Sequence, residues 1–300
     1  EDTGGPDPLA RRYDFSADPL DYANQMMGLV RKHRAELLDK FVKDGQSWSR
    51  ARRGYLLTFS SQARAVSMMA NWLGGAHVYR HRKGDPDGKA PIEVVPAERQ
   101  RKALQFVIDN AFPDEAYGLT PDLLKHLTVD KWWDDDSARE DPAWPVHDKV
   151  LGLQGSALTY LLNPTTLGRV YDNEFRVPNG EDAITLPEVL ETVDKAVWTS
   201  LDAYEDGKAY TARQPLISSF QRNLQREYLD RLMDLANGTT KASPAQKPVS
   251  DLAAMRLDQI RVRLDETKNK EGLDPYSKAH LVESAKRISK TLDARYVIQK

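Results

Sequence analysis

Apolar residues recur at three- and four-residue spacing through most of the chain, which is the pattern of amphipathic helices. The first such stretch follows Asp18-Pro19, an N-cap with a proline in the first turn, and extends to about Lys43. A second stretch begins after Ser47 and continues to Leu73, where Gly74-Gly75 ends it. The two stretches predict a pair of long antiparallel helices.

The same period dominates the second half of the chain. Asn163-Pro164 marks the start of one helix, and Thr185-Leu186-Pro187-Glu188 is a capping box that starts another. An apolar stripe covers Gln214 to Ala236, and two more helices are predicted from Asp251 to about Lys268 and from Pro275 to about Ile298. The chain is therefore predicted to be mainly α, a multi-helical bundle-like array.

One segment breaks the helical pattern. Residues 76–95 contain two short extended runs rich in Val and Tyr, separated by dense turn residues between Gly84 and Gly88. This arrangement predicts one short β-hairpin or a pair of extended arms. Pro91 and Pro96 confine it to something short at an edge.

A polar stretch suggests how the chain is divided. Residues 238–250 contain Gly, Thr and Ser together with two prolines and two lysines, a composition typical of a linker. We therefore expect a helical main body at 1–237, which includes the hairpin at 76–95, and a C-terminal αα-hairpin at 251–300 packed on that body.

Composition excludes several classes of function. The 300 residues include no cysteine, which rules out disulfides, Cys-ligated metals and a thiol nucleophile. The 45 acidic and 43 basic side chains give a net charge of −2, which argues against nucleic acid as a partner. No apolar run approaches the roughly 18 residues of a membrane span.

Hydrolytic zinc chemistry needs two His at i and i+4 on a helix, with Glu directly after the first. None of the six His is followed by Glu. His77 and His81 have the spacing, but in an extended strand they would be ~13 Å apart, and Arg80 and Arg82 would repel a dication. A polar hairpin explains this segment better than a metal site does.

Other charged and aromatic clusters also lack a complete site. The acidic run at 134–141 and the Asp85-Pro86-Asp87-Gly88 turn do not have the ligand order of a calcium loop. Basic residues at 50–53, 80–83 and 99–102 favour a solvated face. No catalytic, cofactor-binding or metal-binding residue is predicted, and no cofactor is expected in this chain.

A resemblance adds what composition and spacing do not. The segment from Trp72 to Arg80, the Lys83-Gly84-Asp85-Pro86 turn and the segment from Val94 to Leu104 resemble the C-terminal part of bacterial zinc-dependent metalloproteases of the Met-zincin type, the EcxA-like zinc-binding domain family. Other matching segments extend the likeness over most of the chain. They are Gly5 to Leu9, Asp18 to Leu20, Val146 to Asp148, Arg222 to Arg226 and Leu273 to Tyr276.

The resemblance implies zinc for the full-length parent, yet the family's H-E-x-x-H helix is absent from this sequence. The six Met residues lie within helical stretches, so none resembles a Met-turn, and no catalytic residue is carried over. We therefore expect the catalytic lobe to lie N-terminal to Glu1. The chain is expected to be a fragment of a secreted or periplasmic protein that is inactive alone.

The resulting hypothesis is a helical C-terminal part that supports the catalytic lobe and lines the cleft for a peptide or protein substrate. Gly74, Gly75, Arg80 and Asp85 are the residues expected to shape that cleft, because a strand there could pair with an extended peptide. One alternative is a non-catalytic helical interaction module that uses the C-terminal hairpin or the Trp132-Trp133 loop. A stand-alone metal hydrolase using His77 and His81 is a third.

Overall fold

A computed structural model describes seven segments of the chain: residues 19–44, 48–73, 95–112, 154–176, 182–199, 219–238 and 246–298. These segments are 88% helical, with nine helices and no strand. The mainly α prediction is therefore confirmed. The predicted hairpin at 76–95 lies outside the described residues, apart from Val95, which is buried and has no regular secondary structure.

The helices follow the apolar periodicity of the sequence. In chain order they are α1 (Pro19–Asp44), α2 (Trp48–Leu73), α3 (Ala97–Ala111), α4 (154–161), α5 (Pro164–Arg176), α6 (Leu186–Val197), α7 (Ser219–Asn237), α8 (Gln246–Thr267) and α9 (Pro275–Ile298).

The first three helices pack together, with α2 in contact with both α1 and α3. Hydrogen bonds from side chains, one of them to the backbone, also connect the three helices. The Gln62 amide on α2 donates to the Asn110 carbonyl oxygen of α3 at 2.7 Å, and Arg31 of α1 donates to the Asn110 side-chain oxygen at 3.2 Å. Because Gln62 and Asn110 are both buried, these bonds replace the water that the amides lose on folding.

The last three helices form a second group that continues into the first. Helix α8 packs against α7 and α9 and also contacts α5 and α6, while α2 contacts α5 and α3 contacts α6. One cluster of buried apolar residues therefore runs through both groups. Its fully buried anchors include Trp72, Trp198, Tyr228, Met27 and Met69.

The helix ends show which local predictions were correct. Thr185 caps α6 through a complete capping box, in which its hydroxyl accepts from the Glu188 N–H at 3.2 Å. Asn163 accepts from the Thr165 N–H at 2.8 Å at the start of α5. Helix α8, however, begins at Gln246 and not at Asp251, because Pro248 lies in the first turn, where a helix needs no N–H donor. The wider division into body, linker and terminal hairpin stays a prediction.

Two glycines give a matched test of helix propensity against backbone strain. Gly28 lies inside α1, and a Cβ added there would meet no heavy atom of the neighbouring structure within 4 Å. Gly28→Ala is expected to raise the free energy of unfolding by about 0.5–1 kcal/mol, because glycine loses more backbone entropy on folding. Urea denaturation measures the change.

Gly238, directly after α7, is the control. It also has open space around a Cβ, but its φ is +61°, where an L residue is strained. Gly238→Ala should therefore lower stability by about 1 kcal/mol. Equal effects of the two substitutions would contradict this explanation.

Candidate functional site

Most residues singled out from the sequence lie outside the described part of the chain. This holds for His77, His81, His126 and His147, for the acidic run at 134–141, and for the cleft residues Gly74, Gly75, Arg80 and Asp85. The structure places two histidines, His33 on α1 and His280 on α9. They differ completely in their surroundings.

His33 is exposed, and an acidic residue lies close to its ring. Its Nδ1 lies 3.8 Å from a carboxylate oxygen of Glu36, one turn further along α1, and both side chains are more than half exposed. A protein zinc site needs at least three ligands that converge on the metal. Within the described ranges no group of three or more His, Cys, Asp or Glu converges in this way, so the residues placed here do not fit zinc.

His280 is buried, and its hydrogen bond fixes the ring proton. The Gln225 amide nitrogen donates to the Val197 carbonyl oxygen at 3.3 Å, so the amide oxygen of Gln225 faces the other way. That oxygen lies 2.9 Å from His280 Nε2, which must therefore carry the proton and donate. Three helices, α9, α7 and α6, are joined by this chain of bonds.

The charges around His280 are those of a site that repels cations. Burial, and after it the positive charges of Arg226, Arg222 and Arg287, together lower the pKa of His280 to about 4. A zinc ion at this ring would face the same three guanidinium groups. The described histidine with the best-defined environment is therefore a structural one.

A buried ionic network joins α6, α7 and α8. Asp194 of α6 is 4% exposed, and one of its carboxylate oxygens accepts from the Tyr228 hydroxyl of α7 at 3.2 Å. Its other oxygen accepts from Arg256 Nη2 of α8 at 2.9 Å. Arg256 also donates to the Gln259 side-chain oxygen at 2.8 Å. We call Asp194, Tyr228 and Arg256 the Asp194 network.

The electrostatics of the Asp194 network follow from its burial. Desolvation raises the pKa of Asp194 above its ordinary value, while the guanidinium groups of Arg256 and Arg263 oppose the rise. Desolvation and the Asp194 charge together raise the pKa of Tyr228 well above its usual range. Each carboxylate oxygen has a partner on another helix and the group is buried, so the arrangement holds helices together.

A second ionic joint connects α3 with the start of α6. Arg101 Nε lies 2.8 Å from one oxygen of the Glu188 carboxylate, and its Nη2 lies 3.3 Å from the other. The same guanidinium donates to the carbonyl oxygens of Asp182 and Ala183 at 3.2 and 3.1 Å. Of the basic cluster expected to be a solvated face, Arg101 is thus part of the packing between helices, whereas Lys102 pairs with Glu98 on the exposed side of α3.

A shallow groove of about 430 Å³ lies between α8 and α9. Two of its lining side chains are apolar and the others are polar or carry charges of both signs, with Lys268 and Asp265 paired at 2.5 Å. The lining residues are Asp265, Lys268, Val282, Ala285, Lys286, Ser289, Lys290 and Asp293. This mixture lacks the converging acids or histidines of a catalytic centre.

The Asp194 network and the Gln225 bridge were not predicted from the sequence, although a pattern points to them. Asp194 is four residues after Leu190 and three before Val197, so it lies within the apolar stripe of α6. Gln225 follows Leu224 on the buried side of α7 and is fully buried. A polar residue in phase with an apolar stripe predicts a buried partner on another helix.

Comparison with known proteins gives one result. A family model described as Met-zincin matches residues 1–204, about two thirds of the chain, which includes α1 to α6. No curated protein matches the chain, and no solved structure does. In the described residues no helix is long and apolar enough to cross a membrane.

Proposed function

The chain belongs to the Met-zincin family, and on that premise we propose that it is the helical C-terminal part of a zinc-dependent metallopeptidase of the EcxA-like kind. In this proposal it supports the catalytic lobe and lines one side of the cleft for a peptide or protein substrate. The zinc ligands and the catalytic residues come from a lobe outside residues 1–300. The parent protein is secreted or periplasmic.

One observation carries the proposal. The chain belongs to a family of zinc peptidases, yet none of its six His is followed by Glu, so no H-E-x-x-H helix is present in the 300 residues. The surroundings of the two described histidines support this division of labour, since one is exposed beside an acidic residue and the other faces three arginines.

The packing of α6 to α9 supports the role of a rigid body. Guanidinium groups, amides and a buried carboxylate join these helices, and the apolar core continues from α2 and α3 into α8. A catalytic lobe needs a support that holds its cleft to within a fraction of an ångström. We propose the segment with Gly74, Gly75, Arg80 and Asp85 as the part of this body that meets the substrate.

The division of labour predicts that the purified chain contains less than stoichiometric zinc and does not hydrolyse casein in a chelator-sensitive way. The longer product of the parent gene should hydrolyse casein and lose that activity with 1,10-phenanthroline, because the chelator removes the catalytic metal. Elemental analysis of the purified proteins and a fluorescent casein assay provide the two measurements.

The control variant is His77→Ala combined with His81→Ala, which removes the two histidines with i, i+4 spacing. We expect this double variant to have the zinc content of the unaltered chain. Chelator-sensitive hydrolysis by the unaltered chain would overturn the proposal, and its loss in the double variant would favour a stand-alone hydrolase.

A further inference from the structure

The ring of His280 lies where α9 packs on α7, and it has little room to take up charge. It is 8% exposed, and its partner Gln225 is fully buried. The Gln225 amide nitrogen donates to the carbonyl oxygen of Val197, and this bond holds the Gln225 side chain in its present orientation toward the ring. The contact is thus built for a neutral imidazole that donates from Nε2.

The three charged groups that act on the His280 ring are arginines. Arg222 and Arg226 approach from α7, and Arg287 approaches from α9 itself. Arg287 is paired with Asp230 of α7, and Arg226 donates to the neutral side chain of Asn223 at 3.3 Å. None of the three charges that lower the pKa of His280 comes from α8, and α6 contributes the uncharged Val197 carbonyl group through Gln225.

Helix α9 is the last described helix of the chain. It packs chiefly against α7 and α8, and it follows a turn in which Gly272 has a φ of +86°. The main contacts of α2 and α3 are with α1, α5 and α6 rather than with α9. A helix at the end of the chain can open as a unit at a lower free energy than the unfolding of the whole protein requires.

We propose that α9 is an acid-released element, in which protonation of His280 weakens the docking of α9 on α7. The added proton goes to Nδ1, since Nε2 already carries one. The hydrogen bond to Gln225 survives, but the ring then carries a positive charge that is buried beside three arginines. Undocking places the imidazolium in water and removes both the desolvation and the repulsion.

The direction of the pH dependence of docking follows from the pKa of His280 in the docked and undocked states. The pKa of His280 is about 4 in the docked state, compared with 6.5 for an exposed histidine. Between these values the undocked state binds more protons, so docking weakens as the pH falls through this window and levels off below it. At pH 7 the contact has its full strength.

Hydrogen exchange resolved by helix tests the proposal. Protection factors of α9 amides, which are corrected for the intrinsic effect of pH, should fall by about fifty-fold between pH 7 and pH 4.5. The matched variant His280→Gln keeps an amide N–H near the position of Nε2 but does not titrate, so its α9 protection should change far less. His33→Gln on α1 should behave like the unaltered chain, since His33 is exposed.

Comparison of the variants isolates the contribution of His280. The Asp194 carboxylate also titrates in acid, but it lies on α6 and is present in every variant, so its effect cancels. An equal loss of α9 protection in the unaltered chain and in His280→Gln would overturn the proposal. A loss shared equally by α3 would also overturn it, because that would be global unfolding.

A second measurement needs no variant. The ring resonances of His280 in an NMR titration should move with a midpoint well below 6.5, the ordinary value for a histidine. A midpoint near 6.5 for His280 in the folded protein would overturn the proposal even if His280→Gln failed to fold.

Discussion

Replacing Arg256 by methionine is expected to lower the free energy of unfolding by about 3 kcal/mol at pH 7, because it leaves the Asp194 carboxylate buried without its counter-ion. Asp194 is 4% exposed, and Tyr228 would be its remaining partner within the network. Methionine keeps most of the length and the apolar contacts of the arginine stem. Urea denaturation at pH 7 gives the change.

Two further variants distinguish the effect of leaving Asp194 without a counter-ion from the effect of losing an arginine on α8. Arg261→Met removes an arginine of the same helix whose partner Asp258, at 2.8 Å, is exposed, so it should cost less than about 0.5 kcal/mol. The triple variant Asp194→Leu, Tyr228→Phe and Arg256→Met should recover most of the stability lost in Arg256→Met, since apolar groups can replace a buried ionic set. A cost for Arg256→Met no larger than that for Arg261→Met would contradict the assignment.

Replacing Arg295 by methionine should cost about 2–3 kcal/mol, because one guanidinium connects the end of α7 to the first turns of α8. Arg295 of α9 donates to the Ala236 carbonyl oxygen at 2.5 Å and to the carbonyl and hydroxyl oxygens of Ser250, each at 2.8 Å. It also pairs with the carboxylate of Asp251. Without it, the Ala236 carbonyl oxygen at the end of α7 keeps the Ser250 hydroxyl as a donor at 2.8 Å but loses the charged one.

The planar shape of the Arg295 guanidinium also predicts how a lysine at this position behaves. Arg295→Lys keeps the charge but not the planar fork, so it should recover less than half of the loss. Lys290→Met, on the exposed side of the same helix, should have little effect. Thermal unfolding of the three variants at equal concentration ranks them, and a full recovery by lysine would show that charge alone is sufficient.

Local patterns in the sequence predicted the helices well, because helix type and helix ends depend on neighbouring residues. The capping box at Thr185 and the Asn163 cap are correct for this reason. The predicted start of α8 at Asp251 is wrong, because proline is common both in linkers and in the first turn of a helix, and Pro248 lies in such a turn.

The partners of buried polar residues are harder to predict from one sequence. Arg101 and Glu188 are 87 residues apart, and Arg256 and Asp194 are 62 apart. The stripe of α6 indicates that Asp194 is buried, but many arginines in this chain have the right chemistry to pair with it. Only the packing of the helices decides which one does.

The family match and the fold have different boundaries. The matched region ends at residue 204, after α6, whereas the core continues through α7, α8 and α9. The Asp194 network and the Gln225 bridge both cross that boundary. We therefore expect a chain shortened at residue 204 to expose the apolar side of α6 and to aggregate.

The arginines that bind across helix pairs also restrict how far one helix can shift along another. Leu, Ala and Val stripes at three- and four-residue spacing present nearly the same surface after a shift of one helical turn, about 5.4 Å. A guanidinium paired with one carboxylate does not tolerate such a shift. Arg101, Arg256 and Arg295 each bind residues of other helices. We expect these arginines to select one register among several that the apolar faces alone would accept.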